Sequence, residues 1–368
     1  MVVTIIANPE CLAHKALSFA GCLLILTAML ACDRRADTHT TDTAEPVISH
    51  HTPSDPLVLR GQDGITLRGL AITSDPAIEL HGCKNITIID CDLTRIIVGG
   101  SSNVRIVNNF IHDSNEEAIY LDDCDEILVQ GNRIERVKTG VLAHQSAGIK
   151  VIGNYCRDVL GPLPGGQLVQ FDKVSGAGNA ITHNYAVNYL GSSNPEDMIS
   201  LYQSHGSRES PILIKNNYLV GDPQLGSQGK SDSGSGIMLG DNGGSWQICR
   251  NNTLLSPGQV GIGVAGGEYI YVQNNFILGK QSDVSNVGIY VWNQYKDKPA
   301  GQIGLDQNTV GWTNREGKDN PYWEGGGFPV ITNTGFNFGG YEAIRRTGVP
   351  SPPSEAPQPP VPFVESEE

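Results

Sequence analysis

Charged side chains are scarce in this chain, and cationic ones are the scarcer kind. Only 17% of its 368 residues are charged, and 25 Lys and Arg stand against 39 Asp and Glu, so the formal net charge is -14. A surface this acidic repels a phosphate backbone, which excludes sequence-independent binding to nucleic acid. It would also repel a polyanionic substrate unless cations intervene.

Cysteine is present, but its placement does not support a disulfide framework. Beyond the leader region five cysteines remain: Cys83, Cys91, Cys124, Cys156 and Cys249. Cys83 and Cys124 share a position in the repeat described below, yet two turns of about 4.8 Å would place them about 9.6 Å apart, out of disulfide reach. We expect the five to be small buried apolar residues.

An uncharged apolar run lies near the N-terminus and is short. Residues 16–31 read ALSFAGCLLILTAMLA, whereas a spanning helix needs about 20 residues. The run therefore predicts a secretory signal. The next residue completes Met29-Leu30-Ala31-Cys32, which resembles a bacterial lipobox with Cys32 as the lipidated residue. We expect an extracytoplasmic protein that is lipid-anchored in the bacterial envelope (periplasm or cell surface); an ordinary cleaved signal and secretion are the alternative.

Composition divides the chain into four parts. We expect residues 1–32 to form a signal peptide of lipoprotein type, and residues 33–55 are polar and predict a flexible tether. Residues 56–348 repeat. Residues 349–368 form a proline-rich acidic tail, which we expect to be extended.

Asparagine recurs at one position of the repeat. The members of this series are Asn109, Asn132, Asn154, Asn184, Asn217, Asn252, Asn275 and Asn308. Each precedes by two residues an apolar or small one, and self-similarity at this period is typical of a solenoid. Stacked side-chain amides can bond to each other and to turn backbone groups, so we expect a structural ladder.

A two-strand phrase accompanies each asparagine. In residues 118–134, AIYLDDCDEILVQGNRI, apolar and polar residues alternate on both sides of a bend. The chain resembles the pectate-lyase-like superfamily in three features: this two-strand phrase, the asparagine column and the variable coil length. The resemblance implies an all-β fold, a single-stranded right-handed parallel β-helix (solenoid) of about ten coils. The inward column is then Ile78, Ile96, Ile119, Val141, Val169, Ile199, Ile237, Ile262 and Ile289.

The first strand of each coil presents a row of chemically active side chains on its outward face. Parallel stacking places Asp122, His144, Asp172, Tyr202 and the Gly240-Asp241 pair in one line of about 4.8 Å per step. The register at Asp172 is a choice, because a slip of one residue would bury it. Extra residues gather at one turn, at 157–167, 187–197, 220–235, 278–286 and 311–328, and predict a wall beside the row.

Three functions fit this row. The resemblance implies a carbohydrate-active enzyme, and the first hypothesis is a polysaccharide lyase or a uronate epimerase acting on a uronic-acid-containing glycan, with Lys173, His144 and Tyr202 as proton carriers beside Asp172. The first alternative is an inverting glycoside hydrolase, because Asp122 and Asp172 lie two coils apart, about 9.6 Å against the 6.5–9.5 Å of such enzymes. The second is a non-catalytic lipoprotein that binds envelope glycan.

Substrate and metal contacts complete the predicted site. The candidate substrate-binding residues are Gln145, Gln170, Gln203, His205, Asp241, Tyr290, Trp292 and Trp323. Two carboxylate pairs, Glu116-Glu117 and Glu196-Asp197, precede first strands and could hold Ca²⁺, which prefers oxygen ligands; solvated turn residues are the alternative. We expect a polysaccharide partner, no organic cofactor, and membrane contact only through the lipid. The oligomeric state is left open.

Overall fold

The chain forms one long stack of parallel strands. The computed structural model describes residues 51–162, 165–188, 193–221, 234–281 and 287–352. The signal peptide, the lipidation at Cys32, nearly all of the predicted tether and most of the acidic tail fall outside these ranges. Among the described residues no helix is both long and apolar enough to cross a membrane.

The strands are short and follow one another closely. Up to residue 172 they are β1 (Thr52–Pro53), β2 (Leu57–Arg60), β3 (Thr66–Arg68), β4 (Leu70–Ile72), β5 (Ile78–His81), β6 (Lys84–Ile89), β7 (Asp92–Leu93), β8 (Ile96–Gly99), β9 (Ser102–Val107), β10 (Phe110–Asp122), β11 (Asp125–Gln130), β12 (Arg133–His144), β13 (Lys150–Ile152), β14 (Tyr155–Val159) and β15 (Val169–Asp172). Beyond it they are β16 (Ala180–Thr182), β17 (Tyr185–Val187), β18 (Asp197–His205), β19 (Ile212–Lys215), β20 (Tyr218–Val220), β21 (Ser235–Arg250), β22 (Thr253–Leu255), β23 (Val260–Val264), β24 (Glu268–Gln273), β25 (Phe276–Lys280), β26 (Val287–Trp292), β27 (Gln302–Asp306), β28 (Thr309–Thr313), β29 (Tyr322–Gly326), β30 (Val330–Thr334) and β31 (Asn337–Gly339), and the helix α1 (Tyr341–Arg345) follows.

Each coil contains three strands, whereas the repeating sequence pattern predicted two. In one coil these are β5, β6 and β7, which pair in parallel with β8, β9 and the start of β10 in the next. We call the resulting sheets the first, second and third sheet. The third strand is only two or three residues long in several coils, too short for an alternating pattern to be visible in the sequence.

The predicted inward column is confirmed. Ile78, Ile96 and Ile119 pair in register and have no exposed surface. The same column continues through β12 and β15 to Ile289, where Tyr322 of β29 extends it by one further coil. Inward positions of parallel strands bury aliphatic side chains against those of the coils above and below, and this burial is the main stabilising term of the fold.

The asparagine ladder is confirmed as a continuous hydrogen-bonded column. Each Nδ2 donates to the Oδ1 of the next ladder asparagine, at 2.9 to 3.0 Å from Asn109 to Asn308. Each Nδ2 also donates to a main-chain carbonyl, as Asn184 does to Val151 O at 3.0 Å. The buried turns between the second and third sheets therefore keep their polar groups paired.

The cysteines behave as predicted. All five are buried and free. Cys83 and Cys124 belong to a second column at the turn after the first sheet, where the Cys83 and Cys124 main-chain N–H groups donate to the hydroxyls of Ser101 and Ser146. Ser101 occupies the coil between the two cysteines, which is why they cannot bridge.

The C-terminal end continues the solenoid further than the repeat indicates. Residues 311–328 were predicted to be a loop, but Tyr322–Gly326 is a first-sheet strand paired with β26. The strands β30 and β31, which pair with β27 and β28, complete this coil. Phe336 takes its asparagine position, which is why the ladder pattern ends earlier. Helix α1 then packs against β28 through Ile344, beside Gly311.

Candidate functional site

The outward row of the first sheet is continuous. Asp122 pairs with His144, His144 with Asp172, and Asp172 with Tyr202. Tyr202 pairs with Asp241, across a bulge at which Gly240 turns inward with a φ of 61°. The register chosen at Asp172 is the observed one, with Val169 and Phe171 buried. Gln170 faces outward beside Ser200, two residues before the row.

The residue that follows each member of this row along the chain belongs to a second row, parallel to the first. Gln145, Lys173 and Gln203 have φ values of 48°, 57° and 47°, in the left-handed region. This region is costly for side chains with a β-carbon, and such residues gather where the surrounding structure imposes the turn. The turn brings their side chains beside the first row, so that each coil contributes two functional groups.

One hydrogen bond and one ion pair lie in the N-terminal part of the row. His144 Nδ1 lies 2.7 Å from Asp122 Oδ1, and both side chains remain partly exposed. Lys173 Nζ lies 3.6 Å from Asp172 Oδ1. That distance is too long for a hydrogen bond, and Asp172 Oδ1 is buried without a hydrogen-bond partner in the described part of the chain. The Asp172 side chain is 25% exposed, and that exposed surface does not include Oδ1.

Asp241 is a partly buried carboxylate at the C-terminal end of the row. The Tyr295 hydroxyl donates to Asp241 Oδ1, and Asn242 Nδ2 donates to the Tyr202 hydroxyl at 2.5 Å. Burial raises the pKa of Asp241, an effect only partly offset by the bond from Tyr295. The burial that raises the pKa favours the protonated form, which suits a proton donor.

A cavity of about 380 Å³ lies beside these groups. Three predicted residues, Lys173, Gln203 and His205, line it together with Asn242, Gly243, Gly244, Glu268, Lys298 and Pro299. The structure thus brings these three predicted residues together, and it adds Lys298 as a second cation. The spacing of the sequence gives no signal for Lys298 or Tyr295, because both belong to the irregular segment that follows β26.

A second cavity of about 380 Å³ is aromatic. Tyr290, Trp292 and Trp323 line it, with Val260, Val287, Gln294 and Asn320. Tyr290 was predicted to face outward, and it does, but it is only 9% exposed because neighbouring apolar groups cover it. Trp323 was predicted to lie in a loop, whereas it lies on β29 directly beside Tyr290.

The predicted calcium residues have protein partners. Glu116 and Glu117 pair with Lys138 and Arg95, at 3.2 and 2.9 Å. Gln167 Nε2 donates to Glu196 at 3.3 Å. In the described ranges no group of three or more His, Cys, Asp and Glu side chains is placed to hold a metal ion. Calcium binding stays a prediction.

Asp197 is a buried carboxyl next to this region. Burial, together with the nearby carboxylates of Glu196 and Asp241, raises its pKa from 3.8 to about 7, against a lowering by the hydrogen bond with Ser235. The folded state therefore keeps a proton that the unfolded chain loses between these two values, so this group makes the free energy of unfolding fall as pH rises from about 4 to about 7.

We therefore expect Asp197→Asn to flatten the pH dependence of stability. The amide has the size of the acid and cannot ionise, so it avoids a cost of about 4 kcal/mol above pH 7, as three pKa units imply. The measurement is urea unfolding at pH 4, 6 and 8 with EDTA present. Parallel loss of stability in the variant and the wild type would show that Asp197 is not the group that titrates.

Comparisons with known proteins agree on the fold. Residues 55–199 match the family described as right handed beta helix region. The chain is a right-handed parallel β-helix. No curated protein matches it significantly in sequence. Thus the handedness expected from the sequence is confirmed.

Solved β-helix structures are similar in fold and distant in sequence. The catalytic domain of a GH87 alpha-1,3-glucanase, in complex with nigerose, is 14% identical with a TM-score of 0.54, over 75% of this chain and 55% of that one. The Dettilon tailspike protein is 14% identical with a TM-score of 0.49, over 78% and 60%. The β-helix described here thus spans little more than half of the glucanase domain, and the likeness is one of fold alone.

Proposed function

We propose that this β-helix is an inverting glycoside hydrolase that acts on a glycan lying along the first sheet, with Asp172 and Asp241 as its two carboxyl groups. The observation that carries the proposal is their placement: both face outward in one row, with only Tyr202 between them. Two coils separate their backbones by about 9.6 Å, close to the 6.5–9.5 Å between the carboxyl groups of inverting enzymes. That gap leaves room for a water molecule beside the sugar.

Each carboxyl group has a role that its surroundings favour. Asp241 is enclosed and its pKa is raised by burial, so it can donate a proton to the leaving glycosidic oxygen. Asp172 is partly exposed on the row, and the Lys173 ammonium at 3.6 Å balances its negative charge. It can accept a proton from the attacking water.

With these two roles, the bonds and protons of the hydrolysis are all accounted for. Water attacks the anomeric carbon as its proton passes to Asp172, the glycosidic C–O bond breaks, and the leaving oxygen takes the proton of Asp241. Solvent returns the proton from Asp172 to Asp241 after product release. Tyr202, whose hydroxyl is held by Asn242, supports the sugar between the two carboxyl groups.

The pair differs from the one that the sequence favoured. Asp122 and Asp172 are also two coils apart, but His144, which bonds to Asp122, lies between them. Asp122 is already engaged by that hydrogen bond, and its side chain is 45% exposed, so it lacks the enclosure of Asp241. Asp241 stands at the same spacing on the other side of Asp172, where only Tyr202 intervenes.

The charge of the row favours a neutral glycan. Asp122 and Asp172 repel a polyuronate unless cations intervene, and the chain as a whole carries -14. The structural likeness to a catalytic domain that binds nigerose supports a carbohydrate-active protein, since the same fold there accommodates a glycan. It does not identify the sugar, because function depends on the site and not on the fold.

A polysaccharide lyase is the second candidate, and one observation favours it. Lys173 lines a cavity with Gln203, His205 and Lys298, where two cations could neutralise a uronate carboxylate while Lys173 or His144 removes the neighbouring proton. Calcium at Glu196 and Asp197 would serve the same purpose and is part of this candidate. A lipid anchor at Cys32 would place either enzyme at the envelope.

A glycan panel separates the candidates. The purified protein is incubated with neutral and uronate polysaccharides, with and without EDTA. We expect new reducing ends on a neutral polymer, without ultraviolet absorbance from unsaturated products. Absorbance of that kind on a uronate polymer would reject hydrolysis in favour of elimination, and retention of a polymer without any product would make the protein a binding module.

A further inference from the structure

Two neighbouring tryptophans stand out on the first-sheet face. Trp292 is 42% exposed and Trp323 is 47% exposed, and with Val58 and Val330 they are the large hydrophobic side chains that the described residues leave exposed. Their rings meet edge to face with centroids 5.8 Å apart. A soluble protein rarely leaves two such rings together in water unless they bind something.

The cleft between them has the composition of a sugar site. Val260, Val287 and Tyr290 form its apolar floor, and the amides of Gln294 and Asn320 lie at its polar side. Flat aromatic faces stack on the C–H faces of sugar rings, while amides bond to ring hydroxyls. No charged side chain lines the cleft among the described residues, so its lining suits a neutral ring.

The cleft lies on the same face of the first sheet as the proposed catalytic row. Val264 pairs with Val291, so Trp292 comes next in the row, two coils beyond Asp241 and about 9.6 Å from it. The segment that follows Trp292 folds back towards Asp241. Gln294 Nε2 donates to the Tyr290 hydroxyl at 3.0 Å, and the Tyr295 hydroxyl donates to Asp241 Oδ1. Tyr295 packs against the cluster that contains Ala265, the row position between Asp241 and Trp292, so a glycan that extends from the carboxyl pair to the cleft passes over Tyr295.

We propose that the Trp292–Trp323 cleft is a distal subsite that stacks an uncharged sugar ring of the same glycan. This inference depends on the proposed function and extends it to the substrate. The distance from Asp172 to Trp292 is four coils, about 19 Å, so the protein requires an extended chain and discriminates against short oligosaccharides. Binding energy from the remote ring helps to hold the scissile bond between Asp172 and Asp241.

Kinetics on chains of graded length test the subsite. The substrates are di- to octasaccharides of the neutral polymer that the panel shows to be cleaved. We expect Trp292→Ala to raise KM about tenfold for the long chains, as loss of one stacking contact implies. Trp246→Phe is the matched control, because Trp246 stacks on Tyr269 outside the cleft. Equal KM values for wild type and Trp292→Ala at every length overturn the subsite.

Affinity electrophoresis in gels that contain the same polysaccharide panel gives a readout without catalysis. We expect a neutral polymer to retard the wild type and Trp246→Phe, and to retard Trp323→Ala much less. If the wild type hydrolyses and binds a polymer and Trp323→Ala binds it equally, the subsite is wrong and the proposed function stands. If no polymer is bound or cleaved by the wild type, both are wrong.

The proline-rich tail is the rival occupant, since aromatic grooves also bind proline-rich segments. Acrylamide quenching of tryptophan fluorescence distinguishes the two. We expect a variant that ends at residue 352 to be quenched like the full chain, which leaves the cleft open for sugar. Quenching that rises on removal of 353–368 would show that the tail covers the cleft and would overturn the glycan proposal.

Discussion

Asp241→Asn and Asp172→Asn each lower glycan hydrolysis by about 10³-fold, with the fold unchanged. The size follows from the usual contribution of a positioned acid or base. Neither substitution alters the packing of the inward columns, because both side chains face outward in the row. The rate is measured from reducing ends on the polymer that the panel identifies, and circular dichroism verifies the fold.

The two variants differ in their response to the leaving group. A glycoside with a dinitrophenolate leaving group needs no proton from Asp241, so Asp241→Asn regains most of its turnover on it while Asp172→Asn does not. Asp125→Asn is the control, since Asp125 is exposed and lies on the second sheet. Full activity of both row variants on the polymer would mean that hydrolysis takes place elsewhere on the molecule.

Asn252→Ala destabilises the β-helix by about 5 kcal/mol. Asn252 donates to Asn275 Oδ1 and to Ile214 O, and its own Oδ1 accepts bonds from the main chain and side chain of Asn217. Alanine leaves several buried donors and acceptors without partners, each at about 1–3 kcal/mol. The measurement is the free energy of unfolding in urea.

The preceding residue provides the matched control. Asn251 is exposed and has a φ of 55°, a conformation that glycine adopts without strain. Asn251→Gly therefore changes stability by less than about 0.5 kcal/mol, as is usual for exposed positions. A loss of similar size in both variants would mean that asparagine serves only as a turn residue here, and that the ladder bonds contribute little.

The periodic part of this molecule could be predicted from the sequence. Inward residues such as Ile119 and outward residues such as Asp122 alternate with a period of two, and asparagine marks one turn of nearly every coil, so column and row follow from stacking alone. Predicting the row from Asp122 to Tyr202 required only the correct strand register. Only the bulge at Gly240 altered it, by placing Asp241 in the row.

What sequence reasoning missed lies in irregular segments. Tyr295 approaches Asp241 because the chain folds back after β26, and no periodicity encodes that contact. Trp323 was assigned to a loop because its coil has no ladder asparagine. The short third-sheet strands were missed as well, since two or three residues carry no pattern. Distances between irregular segments depend on packing that one sequence does not reveal.

The anomeric configuration of the first product tests the central claim most directly. Proton NMR of a neutral polymer during the first turnovers follows the new reducing end before it mutarotates. The proposed pair, two coils apart with a water between, predicts a product of inverted configuration that is absent with Asp241→Asn. A retained configuration, or an unsaturated sugar in place of a reducing-end pair, would contradict the mechanism assigned to Asp172 and Asp241.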